Sequence, residues 1–241
     1  KANIKFSWDA YNYAHLNRSK NPSTYYATGR NEDGNLMYTK NNDGNDYLVL
    51  YKDNKGNRTT YLEASLTYEN LFANAHRVGG LFLFNMREKT DNFPDSYIMS
   101  LPYRNQGIAG RVTYSYKDRY FIEGNFGYNG SENFAPGNQF GFFPAYSVAW
   151  NIAEEPIIKK NLKWMNMFKL RYSYGKVGSD NIGTRFPYLE LFESRNPYNW
   201  GDYNTPNVDN GQIYKQISSS GVTWEIATKH DIGVDFSLWD D

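Results

Sequence analysis

The chain has 241 residues, with 26 basic and 26 acidic side chains that cancel to a formal charge of zero, and it has no cysteine. Neutrality removes the basic stripe that a general nucleic-acid binder needs, and the missing thiols exclude a disulfide framework and thiolate metal sites. A mean hydropathy of -0.76, with no run near the ~20 apolar residues of a spanning helix, excludes a helical membrane protein.

From the N-terminus, residues 2–12 alternate large apolar with polar side chains, the period-2 signature of a strand with two unlike faces. A long polar stretch follows to residue 57, punctuated by Asn31-Glu32-Asp33-Gly34, Asn42-Asp43-Gly44 and Asp53-Asn54-Lys55-Gly56. Such residues supply hairpin turns, and two short strands are expected there, at 35–39 and 46–51. Alternation returns at 58–70 and 75–89 and, after a second long connection, at 106–117, 119–130 and 142–153. In this central region Val112, Tyr114 and Tyr116 share a parity opposite to Arg111, Thr113 and Ser115. Tyr120, Ile122, Phe126 and Tyr128 likewise oppose Glu123, Asn125 and Asn129. After 154–166, with a helical turn expected beyond Pro156, strands are expected at 167–177 and, past the longest connection, at 227–238.

These eight segments reach the ~9–11 residues that cross a bilayer as strands, longer than the usual ~5–6 of globular strands. Short connections (71–74, around Asp118, 154–166) alternate with long ones, as in outer-membrane barrels with short inner turns and long outer loops. The 22 Tyr, 15 Phe and 6 Trp also suit a barrel, whose aromatics girdle both interfaces. The expected fold is all-β, an antiparallel transmembrane β-barrel. On the apolar parity, Tyr116, Tyr120, Trp150 and Phe168 are the expected inner-interface aromatics, and Tyr128 and Phe142 the outer ones. The opposite parity carries Glu63, Glu69, Arg111, Glu123, Lys169, Arg171, Asp231 and Asp235, which a wet lumen tolerates and a dry core does not. A soluble, aromatic-rich glycan-binding β-module and a small closed eight-stranded barrel are the competing readings.

Signals of catalysis are weak. His15, His76 and His230 are scattered, no HExxH, GxSxG or P-loop occurs, and structural roles for the histidines are expected. Glu154-Glu155 and Asp240-Asp241 read as turn charges, since adjacent side chains diverge on an extended chain. Around Asp202 and Asp209 the oxygen-rich loops suit calcium in ligand type but lack EF-hand spacing, and turn chemistry accounts for them. No catalytic residue, metal site or cofactor is assigned. The better lead is Tyr25, Tyr26, Tyr198, Trp200 and Tyr203 in the long connections, which offer stacking surfaces to a sugar or anchors to a protein; packing between loops is the alternative role.

The runs Tyr114-Ser115-Tyr116-Lys117-Asp118-Arg119-Tyr120, Gly130-Ser131-Glu132-Asn133-Phe134-Ala135-Pro136-Gly137-Asn138 and Gly141-Phe142-Phe143-Pro144-Ala145-Tyr146-Ser147-Val148-Ala149-Trp150 resemble the SusC/RagA family of TonB-linked outer-membrane transporters of Bacteroidota. Tyr25-Tyr26-Ala27-Thr28-Gly29-Arg30, Leu170-Arg171-Tyr172-Ser173-Tyr174-Gly175 and Thr223-Trp224-Glu225 add to the resemblance. It implies a 22-stranded barrel with an N-terminal plug, a SusD-like lipoprotein partner, energy relayed through TonB, and import of oligosaccharides or, in some members, peptides. Residues 1–241 are then expected to be about eight strands of that barrel, four outward hairpins without plug, TonB box or signal peptide. The expected location is the outer membrane of a Gram-negative bacterium of that phylum. The family resemblance carries no cargo-contacting residue onto this sequence.

Overall fold

The computed structural model describes residues 1–45, 47–162, 164–202 and 204–238. Period-2 alternation becomes one eight-stranded sheet built from β1 (Ala2–Ser19), β4 (Val49–Phe72), β5 (His76–Asp91), β6 (Tyr103–Tyr116), β7 (Tyr120–Ser131), β8 (Phe140–Asn151), β9 (Met165–Ser179) and β12 (Glu225–Leu238). These strands lie in the order β1-β4-β5-β6-β7-β8-β9-β12, and every neighbouring pair is antiparallel. The long connections carry two separate hairpins, β2 (Thr24–Arg30) with β3 (Leu36–Asn42) and β10 (Leu191–Gly201) with β11 (Pro206–Gln216). Two short α-helices, α1 (Tyr97–Ser100) and α2 (Pro156–Asn161), and a 3-10 turn at Ile152–Glu154 complete the described elements, and α2 is the helical turn expected after Pro156.

Each expected spanning segment matches one strand of the large sheet, four of them (75–89, 106–117, 119–130 and 142–153) overrunning it by one or two residues at one end, and several strands are longer than expected. β4 has 24 residues, about 80 Å at ~3.3 Å per residue, so it extends well past any bilayer. The short strand expected at 46–51 is therefore corrected: Val49, Leu50 and Tyr51 open β4 and pair with Ser19, Arg18 and Asn17, and Asp46 lies outside the described residues. The loop hairpin is made instead by β2 and β3. Between residues 178 and 226 the sequence reading expected a loop, and β10–β11 is found there.

Two connections are three residues long, each a turn whose two central residues are left-handed: Ala73 (φ 49°) and Asn74 (φ 49°), and Lys117 (φ 50°) and Asp118 (φ 54°). Positive φ at both central positions matches the right-handed twist of the flanking strands. These turns mark one rim of the sheet, the turn rim; the long connections mark the other, the loop rim.

Register places the two parities on opposite faces. One row runs Ile4, Ala64, Phe84, Ile108, Tyr128, Phe142, and the row nearest the turn rim runs Phe72, His76, Tyr116, Tyr120, Trp150, Leu170, Val234. Phe168 shares this face and pairs with Phe236. Towards the loop rim the apolar band ends at a charged ladder, where Arg104 sits 2.7 Å from Glu88 and 3.5 Å from Glu132. From Gln106 to Tyr116 the strand rises about 33 Å, which a tilt of about 40° reduces to about 25 Å, the height of the apolar belt of a transmembrane barrel.

The apolar face is the open one. Ile4 is 76% exposed, Val112 63% and Ile232 80%, whereas along β7 the intervening residues Phe121, Glu123 and Asn125 are partly covered. A soluble sandwich buries its apolar face under a second layer; none covers this one among the described residues. The small closed barrel does not form among the described residues, where β1 and β12 are the two edges of the sheet and do not pair with each other. Buried apolar residues are few, and Phe134, Ala135, Phe143 and Phe186 belong to the loop rim.

Candidate functional site at the loop rim and polar face

Polar-face side chains neutralise one another. Arg111 reaches Glu123 at 3.0 Å, and Asn125 donates to the same carboxylate at 2.7 Å. Glu63 accepts from Lys5 at 2.9 Å and from the Tyr61 hydroxyl at 2.7 Å. Arg171 lies 3.4 Å from Asp235, and the Lys169 ammonium sits 4.1 Å from the centre of the Phe121 ring. A concavity of about 750 Å³ opens among Thr113, Ser115, Glu123, Lys169 and Arg171. All eight charges assigned by parity to a wet face lie on this side of the sheet by register. Such a surface can hold water and polar solutes.

Above it, three connections knot together. Asp180, one residue past β9, takes the Tyr103 and Ser131 hydroxyls and the Asn105 amide on a single carboxylate oxygen, the last two at 2.7 and 2.8 Å. Burial pushes this carboxyl up, but the three donors outweigh burial and hold it below the ordinary aspartate range. Asn133 is buried and donates to the Asp180 carbonyl at 2.9 Å, while its own carbonyl accepts the Phe186 N–H at 2.7 Å. Phe186 is buried and left-handed (φ 48°), a conformation that costs a bulky residue about 1–3 kcal/mol and persists only where its surroundings impose it. Gln216 completes that restraint by donating to the Phe186 and Leu189 carbonyls at 2.8 and 3.0 Å. A parallel apolar knot joins Phe134 and Phe143 to Trp224, with ring centres 5.4 and 5.3 Å apart, and the Trp224 indole donates to the Gln139 carbonyl at 3.0 Å.

The loop aromatics stand apart from this knot. Tyr25 and Tyr26 lie on β2, and Tyr198 and Trp200 on β10; they are more than half exposed. Their hairpins are separate two-stranded sheets, so the four are not gathered into one pocket by strand pairing. Trp200 donates to Asp209 at 2.9 Å across its hairpin. Tyr203 lies outside the described residues, as do Asp240 and Asp241. Asp202 accepts the Asn204 N–H at 3.0 Å, the turn role expected for that oxygen-rich loop. His76 pairs with the Tyr114 hydroxyl at 2.8 Å and His230 with that of Tyr172 at 2.9 Å, both on the apolar face. Sequence reasoning missed the Asp180–Asn133–Phe186 latch; positive φ at a buried Phe has no sequence signal.

An antiparallel sheet with an exposed apolar belt, a charged inner face and a knotted loop rim is the wall of a transmembrane-type β-barrel. Known proteins agree. No protein-family model matches the chain. In sequence it is 34% identical over 132 residues to the TonB-dependent receptor P39 of Formosa agariphila, a match covering 55% of this chain and 12% of that one. It is 31% identical over 129 residues to the TonB-dependent receptor SusC of Bacteroides thetaiotaomicron, covering 54% and 13%. In fold it superimposes on the RagAB peptide transporter with a TM-score of 0.62 at 15% identity, over 99% of this chain and 26% of that one. The chain is thus similar to SusC/RagA-type TonB-dependent barrels, and these matches span about an eighth of the length of the curated relatives and about a quarter of the structural one.

Proposed function

We propose that residues 1–241 form part of the barrel wall of a TonB-dependent, SusC-like importer in the outer membrane of a Gram-negative bacterium of the Bacteroidota. The sequence relationship to SusC carries this reading, and the exposed apolar belt over a charged inner face supports it. The loop rim then faces outward, where Tyr25, Tyr26, Tyr198 and Trp200 meet cargo or a SusD-like surface lipoprotein. Tyr116, Tyr120, Trp150 and Phe168 hold the inner membrane interface, and Tyr128 and Phe142 the outer. The wall makes and breaks no bond; it lines a polar passage whose opening is driven through TonB, by a plug that these residues do not form.

The proposed cargo is an oligosaccharide, on the relationship to SusC. Peptide cargo is the second reading, favoured by the likeness to the RagAB fold. A strain lacking the full-length protein separates them: it is expected to lose uptake of labelled oligosaccharides and keep uptake of labelled peptides. Loss of peptide uptake alone establishes the second reading, and uptake of both that persists without the protein or without TonB rejects import altogether.

A further inference from the structure

The connection that leaves β9 does not stand clear of the loop rim. β9 pairs with β8 only as far as Gly175, opposite Ala145, while its pairing with β12 runs on to Ser179. Past that point its end lies over the inner face of its neighbours. Gly178 sits against the ring of Phe143, with no room left for a Cβ. Phe143 has the parity of Ser147, the partner of Glu123, and so belongs to the charged face.

Asp180 then reaches across the sheet. Its carboxylate meets Ser131 at the end of β7 and Tyr103 and Asn105 at the start of β6, two and three strands away. By register these three share the face of Arg111 and Glu123. Arg185 carries the crossing further, donating to the Leu101 carbonyl at 2.8 Å just ahead of β6 and lying over the Tyr103 ring at 5.8 Å. From β9 to β6 is three strand spacings, about 14 Å of wall at ~4.8 Å each.

The crossing segment is tied down from behind as well. The Ser219 N–H donates to the Pro187 carbonyl at 2.8 Å, and the Ser218 hydroxyl to the Tyr188 carbonyl at 2.7 Å. Phe186 and Pro187 are buried, whereas Asn181, Gly183 and Thr184 are exposed. A cavity of about 390 Å³ opens beside them, edged by Tyr103, Asn133 and Asp180. A loop serving only as an outward contact has no need of so many bonds to the inner face.

We propose that residues 180–190 form a selectivity strap, a fixed constriction drawn across the inner face at the outer mouth of the passage. Cargo crosses the exposed edge at Asn181, Gly183 and Thr184, and the strap limits how long or bulky that cargo can be. This rests on the importer reading above and assigns to it the element that sets the size limit.

The test uses cells carrying the full-length protein and a graded series of labelled oligosaccharides, or of peptides where the parent imports those. Thr184→Cys, an exposed position, is labelled with maleimide polymers of increasing size. Glu88→Cys, on the opposite face near the same rim, and the parent receive the same treatment. The label at 184 is expected to abolish import of the longest cargo first and of shorter cargo as the polymer grows, with import unchanged in both controls. A second variant, Asn133→Ala with Asp180→Ala, frees the strap and is expected to import cargo longer than the parent accepts, heat-modifiable migration in gels confirming a folded barrel. Full import by labelled Thr184→Cys, or equal loss from the label at Glu88, overturns the strap, whether or not the double variant folds. A parent that imports neither oligosaccharides nor peptides rejects the importer reading itself, and the strap's role with it.

Discussion

The ring of Phe143 fills the space where a side chain on Gly178 would begin: a Cβ built on Gly178 lies 2.1 Å from its Cζ. The same ring stands 2.4 Å from a Cβ built on Gly141, and its other side meets Trp224 edge-on at 5.3 Å. Phe143 therefore cannot swing away without leaving Trp224. Gly178→Ala is expected to cost about 1–3 kcal/mol, as overpacking does, and to act locally. Hydrogen exchange should show protection falling in residues 131–140 and 218–224 while β5 and β6 stay unchanged.

Asp180 makes the second prediction. Asp180→Ala leaves the Tyr103 and Ser131 hydroxyls and the Asn105 amide without their shared acceptor, and unmade bonds at partly buried groups cost about 1–3 kcal/mol. The expected result is faster proteolysis between residues 181 and 190, with the heat-modifiable barrel retained.

That carboxylate also sets a pH dependence. Its folded pKa is depressed, the donors outweighing burial, so the tether is at full strength above the ordinary aspartate range, near pH 4, and is lost as pH falls through the depressed value. Proteolysis of the 181–190 segment by an acid protease should accelerate at the acid end in the parent and stay flat in Asp180→Ala. An identical acid response in both would remove Asp180 from the explanation.

How much of this was legible in the sequence follows from the range of each interaction. The eight large strands were readable because alternation is local: Val112, Tyr114 and Tyr116 announce one face within five residues. Charge parity was readable for the same reason. The β10–β11 hairpin was not, since residues 204–211, Asn-Thr-Pro-Asn-Val-Asp-Asn-Gly, carry turn chemistry and almost no apolar periodicity. The latch was illegible for another reason. Asn133 meets Asp180 and Phe186 across 47 and 53 positions, a proximity created only when β7 and β9 flank β8. Strand lengths were underestimated because the far ends of β1 and β4 pair through polar residues such as Asn17 with Tyr51 and His15 with Asp53.

Val112 and Thr113 provide a test of which face meets lipid. They lie at the same depth on opposite faces, and Val112 is 63% exposed between Gly80 and Gly124 in its row. An arginine on the lipid face near the midplane costs about 2–4 kcal/mol, whereas the lumen tolerates it. Val112→Arg is expected to lower stability by that amount in urea-driven unfolding from lipid vesicles, and Thr113→Arg by less than about 1 kcal/mol. The native Arg111, paired with Glu123 at the same level, already shows the polar face accepting the group. Equal costs would mean that the apolar face does not meet lipid.

The turn at Ala73 and Asn74 tests the geometry of the turn rim. Both residues are left-handed. Asn tolerates that region through local hydrogen bonding, but Ala pays about 1–2 kcal/mol for the approach of its Cβ to the carbonyl oxygen. Glycine removes the clash and adds back part of it as chain entropy in the unfolded state. Ala73→Gly is therefore expected to stabilise by about 0.5–1 kcal/mol, and Ala73→Val, whose branched Cβ is worse placed, to destabilise by at least as much. Because the Ala75 carbonyl also accepts the Lys117 N–H at 2.7 Å, the effect should extend into the neighbouring hairpin. Refolding into detergent micelles, followed by gel mobility, should then be faster for the glycine variant; a slower one would mean that the turn is not left-handed at Ala73.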